Sequence, residues 1–81
     1  MVVTELMIAA EVVTSAFDRQ GIRYWPEGEI EHWCVEMLGT KAEFRDQVSE
    51  EYPWAYYYSN GLATWYFARE EYATMFRLRW L

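Results

Sequence analysis

Apolar residues recur at helical spacing through the first fifty positions of the chain and at strand spacing after Pro53. Thr4 stands ahead of Leu6, Ile8, Ala9, Val12, Val13, Ala16 and Phe17, which track one helical face, and Gly21 follows as a stop. This predicts a first helix over about 4–19. Residues 22–25 read as a short extended connector or edge strand, because Trp25 precedes Pro26 and is biased away from helical angles. Pro26 suits the first turn of a second helix, where its missing N–H costs nothing. Ile30, Trp33, Cys34 and Met37 fall at i, i+3, i+4 and i+7 and form one apolar stripe, which Gly39 closes. Thr40-Lys41-Ala42-Glu43 has the capping-box pattern and predicts a third helix over about 41–51. Its apolar side is thin, chiefly Ala42, Phe44 and Val48, so most of its surface is expected to be wet and acidic. Tyr52-Pro53 ends it.

Beyond Pro53, two aromatic-rich runs, Trp54–Ser59 and Leu62–Phe67, flank Asn60-Gly61. Asn-Gly between alternating apolar runs is the strongest short hairpin signal, since both central residues of the tight turn need positive φ. The final segment fits two periods. Tyr72, Met75, Phe76 and Arg79 suit a helix, whereas Phe76, Leu78 and Trp80 alternating with Arg77 and Arg79 suit a strand. Glu70 and Glu71 favour a helix over about 70–78, because its first turn carries a positive dipole end. The predicted fold is α+β in one domain, 1–81: three N-terminal helices, then an antiparallel β-hairpin and a short C-terminal helix or strand.

Composition narrows the class. The chain has 81 residues, 53% of them hydrophobic and 20% aromatic, enough apolar surface for one modest core. The longest unbroken apolar runs, 6–10 and 54–58, are five residues each, far below the roughly 20 that a membrane helix needs. One cysteine allows no internal disulfide, and no basic segment precedes an apolar one near Glu5. Both features point to a cytoplasmic protein.

Charge changes the picture most. The net charge is −6, and residues 27–51 alone hold eight acids against Lys41 and Arg45. Those acids are Glu27, Glu29, Glu31, Glu36, Glu43, Asp46, Glu50 and Glu51, and they form a candidate partner-binding acidic face. A net negative protein is repelled by phosphate backbones, so direct nucleic-acid binding is not expected and the natural partners are cationic. Carboxylates on two adjacent helices can imitate the spacing of duplex phosphates and occupy a cleft rich in lysine and arginine. Eleven of the sixteen aromatics lie within 52–80. Trp54, Tyr56, Tyr57, Tyr58 and Trp65 form a candidate aromatic binding face, because a hairpin shows alternate residues to opposite sides and some rings must then reach solvent, a partner or a second copy of the chain.

Trp65-Tyr66-Phe67, the acidic pair Glu70-Glu71, then Ala73, Phe76 and Leu78-Arg79-Trp80 resemble the closing pattern of some small bacteriophage-encoded accessory proteins, in which a strand leads into a short helix and an aromatic end. In size, acidity and lack of catalytic motifs, the whole chain is also similar to anti-CRISPR inhibitors and other phage counter-defence proteins. The resemblance implies a host cytoplasmic location and a target that handles nucleic acid, and it carries no residue roles.

No arrangement points to catalysis, a metal or a cofactor. On a strand His32, Cys34 and Glu36 would face one way as a metal trio, but on a helix neighbours two apart diverge by about 200°. Cys34 reads as core, and the one histidine is not placed to activate it. Glu27 and Glu31, one turn apart, read as a solvated face. Gly21, Gly28, Gly39 and Gly61 are isolated and each has a turn or cap reading, so no phosphate loop is present.

Two readings of function follow, with a small enzyme a distant third. The first is a small acidic inhibitor that binds a basic bacterial protein or ribonucleoprotein complex of the defence type, by salt-sensitive contacts. The second is a structural or regulatory interaction module, such as an antitoxin, immunity or phage assembly protein, or a homodimer, held through the aromatic face with weak salt dependence.

Overall fold

The structure is a computed structural model that describes residues 8–15 and 28–81. It is α+β, in the order β1 (Ala10–Ser15), α1 (Glu29–Met37), a single 3₁₀ turn (Arg45–Gln47), β2 (Trp54–Ser59), β3 (Leu62–Phe67) and α2 (Glu70–Trp80). The three strands form one antiparallel sheet in the order β1-β3-β2, with β3 central.

The expectation of three N-terminal helices is corrected here. Residues 10–15 are a strand, not part of a helix over 4–19. The tandem β-branched residues Val12, Val13 and Thr14 are stiff at χ1 and poor in a helix. As a strand they alternate, so Val12 and Thr14 are buried while Glu11 and Val13 are exposed. The ladder with β3 runs from Ala10 opposite Phe67 to Ser15 opposite Leu62. The cap expected at Thr4, the stop at Gly21, the connector at 22–25 and Pro26 lie outside the described residues.

The helix expected over 41–51 is also absent, with only the 3₁₀ turn in its place. A capping box is a local signal, and here pairing with the sheet overrides it. Lys41 bridges Trp54 in parallel, and the Ala42 N–H donates to the Trp54 carbonyl at 2.8 Å. Ala42 and Val48 are then buried while Phe44 turns outward, 60% exposed. So thin an apolar side leaves little packing to offset helix nucleation.

The remaining elements follow their local signals. Helix α1 buries Ile30 and Cys34, half-buries Trp33 and leaves Met37 exposed, so the predicted stripe loses its last member. Its end is set by Gly39 (φ 121°), and the N–H groups of Leu38 and Gly39 both donate to the Cys34 carbonyl. The hairpin turns at Asn60 (φ 52°) and Gly61 (φ 77°). Helix α2 carries Glu70 and Glu71 in its first turn and Arg77 and Arg79 in its last, each matched to the dipole end it meets.

Both helices cover the same sheet face. There Val12, Trp54, Ala63, Trp65 and Phe67 meet Ile30 and Cys34 of α1 and Ala73 and Phe76 of α2. Fully burying a large side chain of this kind contributes about 1.5–3 kcal/mol. The indole Nε1 of Trp54 donates to the Gly39 carbonyl at 2.8 Å, which ties the end of α1 to β2. On the opposite face Ala42 and Val48 pack on Ala55, Tyr66 and Ala68.

Candidate functional site

The acidic stretch is divided by the fold. Glu29, Glu31 and Glu36 belong to α1, on the first sheet face, whereas Glu43, Asp46, Glu50 and Glu51 belong to the 40–52 segment that packs through Ala42 and Val48 on the second. They therefore do not stand on two adjacent helices, and Glu27 lies outside the described residues. Glu50 accepts from Arg69 at 2.8 Å, and Glu71 holds the same guanidinium at 3.3 Å. The hydrogen bond to Glu50 comes first among the causes that hold Arg69 above its ordinary pKa, followed by the charge of Glu50 and the bond to Glu71. Glu36 pairs with exposed His32 at 3.0 Å. Among the described residues no ion pair engages Glu29, Glu31, Glu43, Asp46 or Glu51.

The two bases of the acidic stretch are turned onto aromatic rings. Lys41 Nζ lies 5.1 Å from the ring centroid of Tyr56, and the Arg45 guanidinium 5.5 Å from that of Tyr66. Sheet pairing directs both, since Lys41 bridges β2 and the 3₁₀ turn carries Arg45 across the second face. What the 43–51 segment exposes is thus Glu43, Asp46, Glu50 and Glu51 together with Phe44 and Arg45, followed in the chain by exposed Tyr52. An exposed apolar ring on a mainly acidic segment has the composition of a protein-binding patch. As part of a helix over 41–51, Phe44 would lie on the buried side; without that helix it is surface. Its position between Glu43 and Asp46 was the signal available.

The aromatic face separates into core and surface. Trp54 and Trp65 are fully buried, Tyr56 is half-buried, and Tyr57 and Tyr58 are exposed. Trp65 lies 4.9 Å from Phe76 and 5.3 Å from Tyr56, centroid to centroid, so the tryptophans hold the helices to the sheet and present no surface to a partner. Tyr57 stands on the second face in register with Thr64 and Val13, and Leu62 follows on the same side. Val13, Tyr57 and Leu62 are each at least half exposed.

His32 and Glu36 point outward from α1 while Cys34 is fully buried, so the three do not converge. Burial, and then the negative charge of Glu31, pushes the Cys34 thiol up to about 12, which leaves it un-ionised and unreactive at neutral pH. Among the described residues no helix is long and apolar enough to cross a membrane. Compared with protein-family models, curated proteins and solved structures, the chain matches none of them.

Proposed function

We propose that this chain is a small acidic inhibitor that docks on a lysine- and arginine-rich, nucleic-acid-holding surface of a basic bacterial protein and blocks it, in the manner of an anti-CRISPR protein. The observation that carries this is the 43–51 segment: it exposes Phe44 in a stretch with four acidic residues, while Lys41 just before it and Arg45 within it lie over Tyr56 and Tyr66. Charge would steer encounter and Phe44 would anchor the complex. The target class rests on the resemblance in size and acidity.

The test is a pull-down from nuclease-treated bacterial lysate at low and high salt, followed by a nucleic-acid-binding assay on the recovered partner. Wild type is expected to capture a basic protein at low salt only and to displace its nucleic acid. A Glu43→Lys, Asp46→Lys, Glu51→Lys variant is expected to do neither. A partner that survives high salt and binds that variant equally would refute the proposal. A second reading, an interaction module or homodimer with weak salt dependence, is favoured by the exposed Val13, Tyr57 and Leu62 on the second sheet face. It predicts that Tyr57→Ser, and not the charge reversal, abolishes association.

A further inference from the structure

On the helical side of the molecule a groove of about 200 Å³ runs between α1 and α2, lined by Glu29, His32, Trp33, Glu36, Arg79 and Trp80. The two indoles meet edge to face, their centroids 6.3 Å apart and their planes at 89°. Glu29 and Glu36 stand two turns apart on α1, so two carboxylates lie beside an aromatic wall. The chain's own Arg79 places its guanidinium 4.3 Å from the Trp80 ring centroid, so this wall already accepts a flat cation. Among the described residues Trp80 Nε1 is buried with no acceptor, beneath the ring surface that the groove presents.

We infer that the groove receives one arginine side chain of a partner protein. Indole and carboxylate together are the surroundings that a guanidinium recognises, the ring by stacking and the carboxylate through its forked donors. Glu36 is already paired with His32 at 3.0 Å, but among the described residues no ion pair engages Glu29, so the lining keeps one carboxylate for a further cation. The groove is open, which suits a side chain projecting from a larger surface. The inference rests on the reading of a cationic protein partner, and it is separable from the 43–51 patch because α1 and that segment pack on opposite sheet faces.

The test is NMR titration of the full chain, following the indole N–H signals of Trp33 and Trp80. The probes are a capped Gly-Arg-Gly peptide, the same peptide with neutral citrulline in place of arginine, and free arginine. The arginine peptide is expected to shift both indoles, with the citrulline peptide and free arginine each at least about tenfold weaker. Glu29→Gln with Glu36→Gln, both at exposed positions, is expected to weaken the arginine peptide by a similar factor while the melting temperature holds. Equal binding of citrulline, or no effect of the double variant, would overturn the site, and equal binding of free arginine would overturn its assignment to a protein side chain. The Glu43, Asp46 and Glu51 reversal should leave this titration unchanged, so failure of the 43–51 reading and failure of the groove are told apart.

Discussion

Thr14 is the most informative single position for the fold. It is 7% exposed, and its Oγ1 accepts from the indole Nε1 of Trp65 at 3.0 Å and donates, at the long distance of 3.5 Å, to the Ala63 carbonyl. Trp65 is fully buried, so water cannot replace that acceptor. Thr14→Val keeps the shape and removes the oxygen. An unsatisfied buried donor costs about 1–3 kcal/mol, offset by less than about 1 kcal/mol for the added apolar group. The net loss is then about 1–2 kcal/mol, and each kcal/mol lowers the melting temperature of a domain of this size by about 4–8 °C. Urea and thermal denaturation should show this, and Thr14→Ser should recover most of it. The decisive measurement is a double-mutant cycle with Trp65→Phe. Phenylalanine has no N–H, so in that background the Thr14→Val penalty should vanish. A penalty of the same size in both backgrounds, or no penalty in either, would refute the hydrogen-bond account.

Two further outcomes follow from the geometry. Gly61 has φ 77° and open space where a Cβ would stand, so Gly61→Ala meets only backbone strain and should cost about 1–2 kcal/mol in urea unfolding; a variant as stable as wild type would contradict the turn. Cys34 should resist iodoacetamide at pH 8 in the native protein and react once urea unfolds it. Because its pKa rises on folding from 9.0 to about 12, the stability gained by keeping the thiol neutral is complete below pH 9 and is lost as pH climbs towards 12. Cys34→Ala should therefore lose less stability than wild type over that interval, and identical alkaline losses would count against this linkage.

Elements with a local cause were legible in the residues. Asn60-Gly61 supplies two positive φ angles within one turn, Gly39 closes α1, and the Glu70-Glu71 pair opens α2 whichever way the chain packs. Strand β1 was not legible, because Val12-Val13 satisfies both periods and its partner lies far along the chain: Trp65 and Thr14 are 51 residues apart. The capping box at Thr40 misled for a related reason, since a bond from Ala42 to Trp54 outweighed a cap. Net charge and aromatic richness belong to composition and survive any fold. Their arrangement does not: covering one sheet face with both helices buried Trp54 and Trp65, left Tyr57 outside, sent the carboxylates to opposite sides and brought Trp33 against Trp80. Each of those is a contact between elements distant in the chain, set by which apolar faces close on one another, and no local pattern of residues encodes it.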